Sequence, residues 1–240
     1  MHQHIIPGLY LYQAGPGLHS VSVKIHQGCP SADGQHPSGH CHTHIFLPSL
    51  VFRRRLNGRC RLCLSRLYLS RRAFEPHHNA ADAFIGLDER LKGSPRLVFV
   101  DNRLEIAPGM TLVNAGQVPL YGGLDTFGLK VLRQGRLQAD DFLHEQYLLI
   151  EEGGRRVLFS GCSHRGILNI ARRFRPDVLI GGFHLFKLPV GAALDGFADA
   201  LEALGATYYT CHCTGAEQYE YMKRRMTRLN YISAGDTVEV

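Results

Sequence analysis

From residue 65 onward, apolar and polar positions follow short, regular patterns that predict a succession of strands and helices. Arg66-Leu67-Tyr68-Leu69-Ser70 alternates as a short strand does. A loop follows at Pro76, His77, His78 and Asn79, then a short helical stretch around Leu87 to Leu91. Strand-like runs come next at Leu97–Val100, Thr111–Val113 and Leu129–Leu132, separated by Asn102, Pro108-Gly109 and Gly122-Gly123. Tyr147–Ile150 and Arg156–Ser160 flank a glycine-rich turn at Gly153-Gly154 and read as a hairpin of two core strands.

Beyond that hairpin the rhythm changes to strand, helix, strand. A helix is predicted near Gly166–Phe174 and ends before Pro176, and Val178-Leu179-Ile180 is a buried strand. The stretch from about Ala192 to Leu204 carries Leu194, Phe197, Leu201 and Leu204 at helical spacing, with Gly205 closing it. Thr207–Thr210 is a strand, residues from about Ala216 to Leu229 a helix, and a last strand lies near the C terminus. Antiparallel strands first and alternating strands and helices later imply a mixed α/β layer structure.

Composition divides the chain. Its 240 residues are 45% hydrophobic and 20% charged with a net charge of +6, ordinary for one globular domain and unlike a disordered chain. Residues 1 to 64 hold a single acidic residue, Asp33, but eight of the 14 His and four of the seven Cys. The rest of the chain has 21 basic and 20 acidic residues, so almost all the net charge sits in the first quarter. That quarter reads either as a basic arm or as atypical, wrongly delimited sequence, and the scarcity of interleaved aromatics favours the second. Nucleic acid is therefore not an expected partner. No apolar run is long enough to span a bilayer and the start lacks a secretory pattern, so a cytoplasmic protein with thiols or metal-bound cysteines is expected.

Three predicted strand ends each carry a histidine: Gly161-Cys162-Ser163-His164, Gly181-Gly182-Phe183-His184 and Cys211-His212-Cys213-Thr214-Gly215. Loops at the carboxyl ends of parallel strands converge on one sheet edge, where ligands bind. His164, His184 and His212 thus become candidate metal ligands, and Cys213 a candidate soft ligand or a small buried filler. Cys60-Arg61-Leu62-Cys63 has the spacing of one zinc-knuckle pair, but the adjacent His77 and His78 do not supply the second.

Leu158–Ile170, Ile180–Leu185 and Thr210–Gly215 together resemble a branch of the metallo-β-lactamase superfamily that includes 7,8-dihydropterin-6-methyl-4-(β-D-ribofuranosyl)aminobenzene-5′-phosphate synthases. Tyr68–His77, Phe84–Leu91 and Asp140–Gly154 are similar to its middle region, so the resemblance covers about residues 65 to 240. It implies an αββα sandwich with a metal, usually zinc, at one edge of the sheets. It also implies a hydrolase or pterin-type transferase acting on a small molecule.

The family's His-x-His-x-Asp-His motif is absent. His40-Cys41-His42-Thr43-His44 is the nearest counterpart, with His40, His42 and His44 as candidate ligands and no Asp. Either this cluster binds metal differently, or residues 1 to 64 are not homologous to the family's first half; the second account is favoured. The sandwich is then incomplete or rearranged in its N-terminal half. In the family the missing Asp helps hold the nucleophilic water, and Glu145 is the candidate acid/base here. Arg165, at a predicted helix start, is a candidate for holding a substrate phosphate. Two functions remain open: a metal-dependent enzyme, or a catalytically impaired remnant that binds metal or a partner weakly. The oligomeric state is not legible.

Overall fold

The computed structural model describes residues 9–12, 22–25, 51–56, 59–63, 66–121, 124–233, 236 and 238, with side chains from residue 66 onward other than that of His212. In the first quarter, β1 (Leu9–Tyr12), β2 (Ser22–Ile25), β3 (Val51–Leu56) and β4 (Arg59–Cys63) form a sheet in the order β2-β1-β3-β4. His40, His42 and His44 lie outside the described residues.

Next come β5 (Leu67–Leu69), β6 (His77–His78) and β7 (Leu97–Phe99); β5 and β7 pair in parallel. The predicted helical stretch at 87–91 is a 3-10 turn at Glu89–Gly93, capped by the Asp88 side chain on the Arg90 N–H. The strands β8 (Arg103–Ala107), β9 (Met110–Asn114), β10 (Lys130–Arg133) and β11 (Arg136–Ala139) follow. Antiparallel β10 joins β11 to β6, with Val131 opposite His77. That pairing turns the expected 76–79 loop into a short strand, because Lys130 and Val131 offer His78 and His77 a partner from far along the chain.

The hairpin is present as β12 (Gln146–Glu152) and β13 (Arg155–Phe159). Then come α1 (Ile167–Phe174), β14 (Val178–Ile180), α2 (Ala192–Ala203), β15 (Thr207–Thr210), α3 (Ala216–Lys223) and β16 (Leu229–Tyr231). These strands build a seven-stranded sheet in the order β16-β15-β14-β13-β12-β9-β8. It is parallel from β13 to β16 and antiparallel from β13 to β8. The mixed α/β architecture is the expected one.

Strand alternation gives the sheet two apolar faces. Tyr147, Leu149, Leu158, Leu179 and Tyr208 face the helices and pack with Ile167, Ile170 and Phe174 of α1, Leu194 and Leu201 of α2, and Met222 of α3. Leu148, Ile150, Val157, Phe159, Val178 and Ile180 face the other way, with Val100 and Tyr68 against them. Leu158 is fully buried at the middle of β13. Leu158→Ala is expected to cost about 2–5 kcal/mol, read from the urea midpoint, because truncation leaves a cavity at the middle of a central, fully buried strand.

Candidate metal centre

The carboxyl ends of β13 and β14 are drawn together by main-chain bonds. Ser160 donates to the Ile180 carbonyl at 2.9 Å, and Gly182 to the Gly161 carbonyl at 2.8 Å. Glycine is required here: a Cβ on Gly181 would overlap the Ser160 carbonyl oxygen, and one on Gly182 would lie 2.5 Å from the Cys213 sulfur. This close approach delivers the loops that follow. His164 and His184 meet with ring centroids 4.2 Å apart, edge to face, both buried. Two of the three expected strand-end histidines are therefore side by side. His212 opens a 3-10 turn, His212–Thr214, after β15; its side chain lies outside the described residues.

Glu145 sits beneath His164. One carboxylate oxygen lies 2.9 Å from His164 Nδ1 and accepts the His164 backbone N–H at 2.8 Å. The other accepts the Arg165 N–H and the Tyr147 hydroxyl, both at 3.0 Å. Burial alone raises the Glu145 carboxyl, but the His164 ring and the Arg165 N–H outweigh it and hold the group ionised. Burial likewise pulls the His164 imidazole down, while Cys162 and Glu145 push it up to about 10. Both oxygens of Glu145, the candidate acid/base, are thus engaged by protein donors.

Arg165 is also engaged. Its guanidinium donates to the Asp141 carbonyl at 3.0 Å and the Val118 carbonyl at 3.4 Å, tying two loops to the start of α1. Cys213 is buried and donates to the Cys162 carbonyl at 3.5 Å. Burial, then Cys162, pushes the Cys211 thiol up to about 12, and the Cys213 thiol is raised as well. Both are therefore protonated thiols.

Aromatic rings wall the pair. Phe142 stacks on His164 at 4.8 Å, and Phe127 and Phe186 stand edge-on to His184 at 4.9 and 5.5 Å. Phe127, Phe142, Ser163 and His184 all have φ between 48° and 60°, a conformation disfavoured for side chains of this size. Such strain, about 1–3 kcal/mol per residue, persists where surrounding contacts over-determine the backbone, as they do at functional sites.

A second group, not anticipated from the sequence, lies beside Phe142, whose ring is 6.2 Å from that of His144. His77, Asp140 and His144 are all buried, and a ligand atom from each lies within 4.8 Å of the others. Among the described residues it is the group of three that meets this condition, and its donors suit a divalent metal. Asp140 Oδ2 is 2.7 Å from His77 Nδ1, and the His77 and His144 rings are 4.1 Å apart. Burial, then the neighbouring His77, drives His144 down to about 4, so it is neutral. Burial raises Asp140, but its bond with His77 prevails and lowers it. The spacing of Asp140 and His144, four residues apart in a non-helical segment, carried no signal; the β6–β10 pairing that brings in His77 supplies the third member.

No family model matches the chain, and no curated protein matches it. Among solved structures, the chain resembles Tm1679, described as a metal-dependent hydrolase of the beta-lactamase superfamily. The two are 24% identical, with a TM-score of 0.65 over 98% of each chain. An isothiocyanate hydrolase from Delia radicum gut bacteria aligns over 63% of this chain and 62% of its own, at 14% identity and a TM-score of 0.41. The first likeness establishes that the chain has the fold of a beta-lactamase-superfamily hydrolase.

Proposed function

We propose that the chain is a metal-dependent hydrolase acting on a small molecule at the edge formed by the carboxyl ends of β13, β14 and β15. The observation that carries this reading is the buried His164–His184 pair with Glu145 on His164 Nδ1. A carboxylate on one ring nitrogen is the arrangement that orients a histidine for metal binding through the other. The fold shared with a structure described as a metal-dependent hydrolase agrees with it. His164 and His184 would hold the ion, with His212 and Cys213 as further ligands from the next strand end; imidazole and thiol donors favour zinc. When bound, the ion supplies Lewis acidity, polarising the scissile bond and lowering the pKa of water.

The protein's own groups do the rest. Glu145 fixes the His164 tautomer and takes up positive charge on the ring. Phe142 excludes water from the His164 face, and the partly exposed Phe127 and Phe186 offer faces to a flat or apolar part of the substrate. Lys187, over the Phe127 and Phe186 rings at 5.7 and 5.6 Å, places a cation at the rim for an anionic substrate.

The test is hydrolysis of phosphoester, lactone and β-lactam probes by purified protein supplied in turn with zinc, manganese or iron(II). Turnover with one of these ions, abolished by a chelator and restored by the ion, is expected. Absence of turnover under every ion would overturn the reading and leave the impaired remnant.

A further inference from the structure

We infer that His77, Asp140 and His144 form a divalent-metal site of their own, distinct from the strand-end histidines and structural in role. The three residues are 1%, 3% and 7% exposed, so whatever satisfies them must be inside the protein. The hydrogen bond between His77 and Asp140 accounts for two of the three. It leaves His144 unexplained: its Nδ1 is buried without a hydrogen-bond partner and lies 3.8 Å from Asp140 Oδ1. A buried polar atom with no partner is costly, and native interiors rarely keep one without an ion or water to meet it.

The surroundings are those of a ligand set. His77 Nε2 is 3.1 Å from the Arg72 carbonyl, and a ligating histidine characteristically donates its second ring N–H to such an acceptor. Asp140 Oδ1 accepts the Phe142 N–H at 2.8 Å, which fixes the carboxylate. Two imidazoles and one carboxylate suit zinc, manganese or iron(II) rather than calcium or magnesium. The ion would take the place of the hydrogen between His77 Nδ1 and Asp140 Oδ2.

The ion would tie β6 to the segment running from Asp140 to Glu145. That segment carries Phe142, stacked on His164, and Glu145, which orients it. The site thus braces the wall and floor of the strand-end pair.

Crystals of the wild-type chain grown with zinc, and an anomalous difference map at the zinc edge, read each site separately. A peak between His77, Asp140 and His144 is expected, whatever occupies the His164–His184 edge. Density without a peak there overturns the inference, even with a peak at His164 and His184, and the converse result overturns only the hydrolase reading. In solution, His144→Gln is expected to bind one equivalent of zinc fewer than wild type by equilibrium dialysis and elemental analysis. It is also expected to lose the rise in Tm that zinc gives the wild-type chain through this site. A folded His144→Gln with the wild-type metal content refutes the site, and if the variant does not fold the map decides.

Discussion

Glu145→Gln is expected to destabilise the protein by about 3–5 kcal/mol and to weaken metal binding at His164 by about 10–100-fold. The carboxylate is buried and meets four donors: the His164 ring, the His164 and Arg165 N–H groups and the Tyr147 hydroxyl. An amide keeps the size but loses the charge, and its NH2 must face donors on at least one side. His164 then loses the counter-charge that favours its protonated or metal-bound form. Urea unfolding and zinc titration calorimetry measure the two effects. Glu151→Gln, on the exposed hairpin, is the control and is expected to change stability by no more than about 0.5 kcal/mol. Equal behaviour of the two variants would remove Glu145 from the site.

The second large effect is expected from Gly181→Ala. The added methyl meets main chain, the Ser160 carbonyl, which is itself fixed because Ser160 N donates across to Ile180. Nothing flexible can yield, so β13 and β14 must separate at their ends. A cost of about 3 kcal/mol is expected. Movement of His184 relative to His164 by about 1 Å adds a loss of about 100-fold in any activity that needs both. Gly196→Ala, with open space where the Cβ would go in α2, is expected to be neutral or stabilising by up to about 1 kcal/mol. Thermal unfolding of the pair separates a steric effect from a general intolerance of substitution.

Local pattern was enough where burial and chain order agree. Val178–Ile180 is a strand at the residues where three β-branched or leucine side chains stand together, and α2 begins and ends within a residue of its apolar spacing. The last helix is different. It stops at Lys223, not near Leu229, because β15 leaves an open parallel edge that Leu229–Tyr231 fills, burying Leu229 completely. That competition is tertiary and leaves no periodic trace. The same holds for the sites. His164 and His184 could be found because each ends a strand, whereas His77 and Asp140 are 63 residues apart and meet only through the β6–β10 pairing. Glu145 stood out for its residue type, yet its role followed from what surrounds both oxygens. The expectation for Arg165 likewise met a side chain already bonded to two carbonyls.

One stretch, Asp140 to Glu145, meets histidines on both flanks: Asp140 and His144 toward His77, Phe142 and Glu145 toward His164. Adding or deleting a single residue there would put both sets out of register together, so its length is as constrained as its chemistry. The neighbouring turn at Gly153-Gly154, exposed and with open space around it, carries no such obligation. A tag or an inserted peptide for engineering belongs in that turn, and a library that varies loop length should leave the earlier segment alone.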